Sequence, residues 1–555
     1  MNRREFMKVI AAAGSAAVLD PMDVLVKRTM AAPGYFGLHQ FIEAHPEAVF
    51  IKRTNVMDKT DSEVKKQEGI ELAKEIFTLR DTPGIPLSQM IAMKPNLTCT
   101  SGSAKTIDGM GIITDSDFVE GIIEGMKEVG ISQDNMYMRE GNWLGDSYCP
   151  NECPISPYIQ VAERTGAHLT DFPTGREITQ MRLNTLEEGT EVVWKDCPEG
   201  AVFKRIGYVA PFNHQDSWLL NIAKFKTHSM GMTLCAKNLQ GMCIHPHIHF
   251  CEGVASTKRQ PDNVFKDFQP DIEANIDELY AKHLQDGIPR WDKQGGSGGY
   301  WMETWAQRAC DSLSVTDIGF NIIEGIYGRN GNAFLKGPGP GGKAEDFMTN
   351  ILIFGKNPFR VDIIGHWLGG HEPGNFGLFH IAKERGMCST INPAAVPVYL
   401  WENGIPTLAS FQDFERTALV TPYLRRDYSG QREDEYHLVD EFFSYGPVTA
   451  VESTSEERQE YRKHEKEPEA LILGQNFPNP FNGRTIIEYR LLNSANVTLE
   501  VYDSRGRRID ILANGWQGKG THMASWDSGD RASGIYFYRF RTDGVDKVGK
   551  MIIAR

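Results

Sequence analysis

An α/β fold with a largely parallel central sheet, followed by a small all-β sandwich of Ig-like build, is what this sequence predicts. Three observations carry the prediction. Apolar runs of strand length alternate with segments of helical spacing from about residue 49 to 422, as βα units require. From about residue 471 the helical spacing stops, and short alternating runs separated by turn residues take over. Between the two lies Glu456 to Glu469, a charged run poor in apolar side chains that reads as a linker. The expected organisation is a leader over 1–32, an α/β domain over 33–450, a linker over 451–470 and the sandwich over 471–555.

Leu87 to Ala92 is apolar and ends at Met93-Lys94-Pro95-Asn96. Asp117 to Val129 carries Phe118, Ile122, Met126 and Val129 at helical spacing and stops at Gly130. Asn135 to Arg139 is the next strand expected. Trp218 to Ala223 reads as a buried strand that runs into Lys224-Phe-Lys226-Thr-His228. Asn350 to Phe354 is another, with a helix expected over Asp362 to Leu368. Ligands of such sheets sit at the carboxyl ends of the strands, which is where Asn96 and His228 fall. In the C-terminal segment the strands expected are Thr485 to Leu491, Val497 to Tyr502, Ile535 to Phe540 and Val548 to Ile553. Asp503-Ser-Arg-Gly506 and Ala532-Ser-Gly534 supply turns.

The chain has 555 residues, enough for several domains. Its 59 Lys and Arg against 73 Asp and Glu give a formal net charge of -14. That balance excludes a nucleic-acid partner, which would need a basic stripe. No run of 18 apolar residues follows the N-terminal region, so no transmembrane helix is expected in the mature chain. Nine cysteines in so long a chain do not describe a disulfide scaffold.

The densest chemistry is Cys243-Ile-His245-Pro-His247-Ile-His249-Phe-Cys251. In an extended segment alternate side chains share a face, so Cys243, His245, His247, His249 and Cys251 would project together. Ile244, Ile248 and Phe250 would face a core. Pro246 cannot donate to a ladder, so the segment is an edge strand or loop. Imidazole and thiolate suit zinc, iron or nickel, and a transition metal is the expected cofactor. All five side chains cannot reach one ion, so part of the ligand set comes from elsewhere. A solvated His-rich surface is the plain alternative.

Lys224, Lys226 and His228 alternate as well. Two ammonium groups beside an imidazole make a site for carboxylate or phosphate, and their repulsion favours neutral His228 as base or ligand. Lys226, His228 and Asp362 are therefore the expected catalytic residues. Lys224, Lys237, Asn238 and Asn96 are expected to bind cofactor or substrate. For Asp362 helix capping is the other reading. Gly337 to Gly342 is a Gly/Pro loop that either approaches a ligand or simply turns at the surface. Cys149 and Cys153 form a disulfide, a metal pair or two unrelated thiols, with the disulfide preferred in an exported chain. Cys99, Cys197, Cys235, Cys310 and Cys388 read as buried small hydrophobes. His366 and His371 are candidates for the same cleft. Gly295 to Gly299, with Trp291, Trp301 and Trp305 beside it, reads as a mobile loop over that cleft.

Several motifs carry resemblances. Asn2-Arg3-Arg4-Glu5-Phe6-Met7-Lys8 before an Ala-rich stretch resembles a twin-arginine signal, with cleavage near Ala31 or Ala32. NFPNPFN, LEVYDSRGRRI, SGIYFYRF and KMIIAR resemble the C-terminal sorting domain of type IX secretion substrates. KPNLT at 94–98, ITDSDFVEGIIEGMKEVG, LLNIAKFKTHSMGMTLCAKNLQGM at 219–242 and GPGPGGK with VDIIGHWLG resemble the domain of unknown function 362 family, over roughly 85–400 in pieces. These resemblances imply an α/β fold and export by the twin-arginine and type IX machineries, to the periplasm and then the cell surface or beyond. Some relatives carry a ferredoxin-like segment. This chain lacks its tight cysteine run, so an iron–sulfur cluster would need another arrangement of ligands.

The function expected is an exported metal-dependent enzyme acting on a small anionic molecule by Lewis-acid polarisation. The alternatives are an iron- or copper-containing electron-transfer protein and a surface binding protein without catalysis.

Overall fold

A computed structural model describes residues 34–81, 84–97, 110–141, 156–169, 191–228, 231–244, 247, 299–331, 337–421 and 441–445. It also describes most of 471–554 and scattered helical residues between 274 and 285. The twin-arginine segment, the linker over 451–470, Cys99, Cys149, Cys153, His245, His249, Cys251, Trp291 and most of the Gly295–Gly299 stretch lie outside the described residues.

The centre is an eight-stranded sheet. Its strands are β1 (Val49–Arg53), β2 (Met90–Pro95), β3 (Met136–Met138), β4 (Ser217–Lys224), β5 (Phe320–Asn330), β6 (Glu345–Gly355), β7 (Val398–Glu402) and β8 (Ile405–Ala409). The order across the sheet is β8-β7-β1-β6-β5-β4-β2-β3. The pairs β5–β4, β4–β2, β2–β3 and β7–β1 are parallel; β5–β6, β6–β1 and β7–β8 are antiparallel. The expected largely parallel sheet is therefore present, with two reversed strands.

The inner strands are buried on both faces, which is why they read as apolar runs rather than alternating ones. Helices α1 (Ser62–Ile76) and α2 (Ser116–Val129) cover one face. Their Leu72, Ile76, Phe118, Ile122 and Met126 share a core with Ile91, Leu220, Ile222 and Phe354. Helices α4 (Gly299–Ser314), α5 (Pro358–Leu368) and α6 (Gly377–Glu384) cover the other. There Trp305, Cys310, Ile364 and Phe379 pack with Ala92, Leu219, Ala223 and Ile353. A one-turn helix, α3 (Cys235–Asn238), lies on this second side.

Boundaries follow local chemistry. Helix α2 begins where the Asp115 carboxylate accepts the Phe118 N–H at 3.0 Å and ends at Gly130, whose φ is 105°. Helix α5 starts earlier than expected, because Asn357 caps it and Pro358 occupies its first turn. Strand β2 starts later than expected, at Met90, after a turn over Leu87–Gln89. Strand β6 is longer than its apolar core, since pairing with β5 carries Glu345 and Asp346 into the ladder. Trp305 is 1% exposed inside α4, so it fills the core and covers no cleft.

A short segment, Glu441–Tyr445, lies against the α5–α6 corner. Its Tyr445 hydroxyl donates to Glu372 at 2.9 Å and accepts the Gly374 N–H at 3.0 Å.

The C-terminal region is all-β. One antiparallel sheet joins Leu471–Leu473, Arg484–Leu491 and Gly520–Asp527. The other joins Arg508–Gln517, Ala495–Tyr502, Gly534–Thr542 and Val545–Ile553. Ile487, Tyr489 and Trp526 of the first meet Leu499, Phe540 and Met551 of the second in one core. Three strands, Arg508–Gln517, Gly520–Asp527 and the short Leu471–Leu473, escaped the sequence reading. The first carries Ala513-Asn514-Gly515, which dilutes its β signal.

Candidate functional site

The polar residues expected at the strand ends form two buried networks, one on each face of the sheet. On the α3 side Lys94, Asn221 and Asn321 stand in register across β2, β4 and β5. Asn238 ties them together. Its side-chain amide donates to the Lys94 carbonyl and to Asn221 Oδ1, both at 2.8 Å. Its own oxygen accepts from Lys94 Nζ at 3.1 Å and from Asn96 Nδ2 at 3.2 Å. Asn221 in turn donates to Asn321 Oδ1 at 3.0 Å. Glu140, just past β3, closes the network by accepting from Lys94 Nζ at 2.8 Å and from the Leu97 N–H at 3.0 Å.

On the α1–α2 side Lys224 Nζ lies 2.5 Å from Glu324 Oε2 and 3.7 Å from the centre of the Tyr327 ring. Both partners of the pair are 0% exposed. Glu324 also accepts the N–H groups of Asp115 and Ile326, each at 3.0 Å. Asp115 accepts from Lys65 at 2.7 Å and from the Tyr327 hydroxyl at 2.5 Å. Burial pushes the Lys224 ammonium below its ordinary value and Glu324 above its own, and the mutual attraction pulls each back. Lys224 is thus engaged by Glu324, although its charge still reaches Lys226. The strand breaks at Phe225, whose N–H bonds the Glu324 carbonyl at 2.9 Å. Lys226–His228 then pairs with Gly231–Thr233 in a separate hairpin.

That hairpin is pinned at the carboxyl end of the sheet. Thr227 Oγ1 donates to the Gly331 carbonyl at 2.9 Å and sits 3.2 Å from the Arg329 carbonyl. Thr421 Oγ1 donates to the His228 carbonyl at 2.6 Å. Lys226 is 0% exposed. Burial, then the cations of Lys237, Lys224 and Arg329, hold its ammonium well below the usual lysine value, with Glu140 pulling the other way. Burial, then Lys237 and Lys226, hold His228 well below the usual imidazole value. The nearby carboxylates are each engaged by a cation: Glu324 by Lys224, Glu140 by Lys94, and Asp346 by Arg329 at 2.6 Å and Lys59 at 2.7 Å. Lys226, His228 and Lys237 therefore share one corner of mainly positive potential, flanked by Arg329, whose charge is met by Asp346.

Asp362 is the fifth residue of α5 and points at the start of α3. Its two oxygens accept the N–H groups of Cys235 at 2.6 Å and Ala236 at 2.8 Å. Burial raises this carboxyl to about 7, against those two bonds, which favour the ionised form. It holds in place the turn that carries Lys237 and Asn238, which is a positioning task.

Of the metal-capable run, Cys243, Ile244 and His247 are described. Cys243 makes an isolated bridge with Tyr208, and His247 lies in a 3-10 turn. These two residues are not parts of one extended strand, and Ile244 is as buried as Cys243. The Cys243 thiol is pushed up to about 11 by burial, and His247 down to about 3 by burial and then by Arg308. The His247 ring meets Phe203 edge-on at 5.0 Å and Trp194 at 5.8 Å. Among the described residues no group of three or more His, Cys, Asp or Glu side chains is placed to hold a metal ion.

His366, in the last turn of α5, and His371, just after it, are both buried, and the His366 ring stacks on Phe376 at 4.8 Å. They belong to that packing, on the α5 side. The Gly337–Gly342 loop turns at the surface: Gly341 and Gly342 have φ of 71° and 72°, and an added Cβ on either would meet nothing within 4 Å. Cys197, Cys235, Cys310 and Cys388 are buried free thiols, as expected.

Sequence reasoning missed Lys94, Glu140, Asn221, Asn321, Asp115, Glu324 and Arg329. One signal was available: a lone charge inside an apolar run, as in Phe320-Asn-Ile-Ile-Glu324 and Met90-Ile-Ala-Met-Lys94, needs a partner to be buried.

The chain is an α/β protein with a separate all-β C-terminal region. Residues 475–554 match the model of the Secretion system C-terminal sorting domain, which points to the cell surface or the exterior. Residues 91–366 match the Domain of unknown function (DUF362). The chain thus carries a DUF362 domain and a type IX sorting domain, and every residue of the two networks except Lys65 lies inside the DUF362 match. No curated protein matches the chain. Among the described residues no helix is long and apolar enough to cross a membrane.

Proposed function

We propose that the DUF362 domain binds a small anionic molecule, a carboxylate or phosphate, and acts on it outside the cell. The observation that carries this reading is buried Lys226 and Lys237 with half-buried His228 at the carboxyl end of the parallel strands, beside the Arg329–Asp346 pair. A positive corner in low dielectric favours an anion strongly, and strand carboxyl ends are where α/β sheets hold ligands. Asn238, next to Lys237 in the chain, is held in place by Lys94, Asn221 and Asn96. Lys224 contributes its field, since its ammonium is engaged by Glu324.

Calorimetric titration of the mature protein with phosphate, oxalate, citrate and pyruvate tests the reading. At least one anion is expected to bind. Charged hydrogen bonds contribute about 1.5–3 kcal/mol each, so Lys237→Ala and Lys226→Met should each weaken that anion roughly 10- to 100-fold. An anion favours the protonated forms of Lys226 and His228, so it raises their depressed values. Binding therefore takes up protons and weakens as pH rises, which titration in buffers of different ionisation enthalpy would reveal. Absence of binding by all four anions would defeat the proposal.

A second component of the reading is a transition metal held by Cys243 and His247 together with some of His245, His249 and Cys251. In its favour, Cys243 and His247 both feel the charge of Arg308 and so share a neighbourhood. The same guanidinium opposes a cation there, so the ligand set would need thiolate charge. Elemental analysis of protein exported by its own route should find zinc, iron or nickel in stoichiometric amount. Metal-free protein that still binds its anion would remove the metal and leave the anion site standing.

A further inference from the structure

We propose that a cavity beside the hairpin of Val192–Asp196 and Arg205–Val209 binds a sugar acid through Arg205, Lys195 and the loop that carries Asn213, His214 and Gln215. The site shares no residue with the strand-end corner and does not rest on the anion reading given for it.

The two strands pair antiparallel, with Trp194 opposite Gly207 and Asp196 opposite Arg205. Arg205 is therefore a diagonal neighbour of Trp194 on one face, and its guanidinium lies over the indole, 4.6 Å from the ring centre. Gly207 lets the indole lie low, since a Cβ there would come 3.2 Å from its Cη2 and 2.6 Å from Ile244 Cδ1. Trp194 packs inward against the core, and the Arg205 side chain stays 46% exposed. Stacking holds the guanidinium plane in place. Its five N–H groups allow it to take a carboxylate while keeping its contact with Asp196, whose oxygen is 3.6 Å from Nε.

The facing loop is held by its own bonds. The His214 N–H bonds the Pro211 carbonyl at 3.1 Å, and Ser217 bonds the His214 carbonyl through its N–H at 3.1 Å and its hydroxyl at 2.9 Å. Asn213 has a φ of 59°, which Asn tolerates better than most residues, and its Nδ2 donates to Thr316 Oγ1 at 3.1 Å. The Asp216 N–H donates to His214 Nδ1 at 3.2 Å. With Nδ1 accepting, Nε2 carries the hydrogen and is a donor.

Between hairpin and loop lies a cavity of about 390 Å³, lined by Trp194, Lys195, Arg205, Asn213, His214 and Gln215 with two valines. That is within the size range of small-molecule sites. No carboxylate belongs to the lining. Asp196 and Asp216 stand outside it, the second 3.9 Å from His214, and exposed pairs at such distances are weak. A bare phosphate or acetate would leave most of this space unfilled. A neutral sugar would bring no charge to Lys195 and Arg205. A sugar acid matches the whole lining: its carboxylate meets the guanidinium and ammonium, its hydroxyls meet the two amides and the imidazole, and its C–H edges meet the valines. Such a unit comes free or within an acidic polysaccharide.

Calorimetric titration of the full mature chain with galacturonate, trigalacturonate, glucose and acetate tests this. Galacturonate or trigalacturonate should bind at least about tenfold more tightly than glucose or acetate. Arg205→Gln should weaken that binding about 10- to 100-fold and Gln215→Ala about threefold. Both side chains are exposed, so both variants should keep the parent's circular dichroism and denaturation midpoint. A trimer that binds more tightly than the monomer identifies a polysaccharide as the source, and equal affinity identifies the free sugar acid. Failure of both uronates to bind would overturn the proposal. Glucose or acetate binding as tightly as the uronates would overturn the ligand class. Uronate binding that survives Arg205→Gln and is lost in Lys237→Ala would place the ligand at the strand-end corner and overturn the hairpin site.

Discussion

Glu324→Ala is expected to destabilise the α/β domain by about 3–5 kcal/mol, the usual cost of removing one partner from a buried ion pair. The carboxylate lies 2.5 Å from Lys224 and also accepts two backbone N–H groups. Its loss strands an ammonium that is 0% exposed and orphans the amides of Asp115 and Ile326. Asp115 begins α2, so the damage reaches the helix layer as well as the sheet. Denaturant unfolding followed by a probe specific to the α/β domain measures it, since a chain with a separate sandwich need not unfold in one step. Glu324→Gln should cost less, because the amide oxygen still accepts an N–H. The pair Lys224→Met with Glu324→Leu should cost less than Glu324→Ala alone, because no unpaired charge remains. A midpoint for Glu324→Ala indistinguishable from that of the parent would show that the pair is not the buried unit described.

Gly241→Ala should disturb the site itself. A Cβ built there comes 2.0 Å from Glu140 Oε1 and 2.8 Å from Lys94 Cε. Neither neighbour can retreat freely, because Glu140 is bonded to Lys94 and to the Leu97 N–H, and Lys94 also to Asn238. Overpacking of this kind costs about 1–3 kcal/mol. Moving Glu140 shifts Asn238 and the neighbouring Lys237, so anion affinity should fall together with stability. Gly518→Ala, where a Cβ meets nothing within 4 Å, is the matched control and should stay within about 0.5 kcal/mol. Crystal-quality protein from Gly241→Ala with unchanged anion affinity would sever the link between that glycine and the site.

The sheet was legible because strands buried on both faces must be apolar along their length, and Trp218 to Ala223 and Asn350 to Phe354 are. The sandwich was legible where alternation was clean, as at Val497 to Tyr502, and not where Ala, Asn and Gly interrupt it. Lys226, His228 and Lys237 were legible as a local pattern. What spacing alone could not show is that Lys224 pairs with a glutamate 100 positions away, which engages its ammonium. Asp362 was legible as a carboxylate near a helix start, but its task depends on α3 lying against α5. The Cys/His run was expected to be extended, and the two described residues that carry its chemistry, Cys243 and His247, sit in a bridge and a turn.

Lys94, Asn221 and Asn321 occupy one row across three adjacent strands, with Asn238 clasping them. Slipping β4 by one residue would send Asn221 to the opposite face and Lys224 into the wrong layer. Such a slip would bury several polar groups with nothing to bond, at about 1–3 kcal/mol apiece. An all-apolar sheet would tolerate the error more readily. The residues of this row thereby proofread the assembly of the strands that carry them, so that a chain folded out of register would lack the stability to persist.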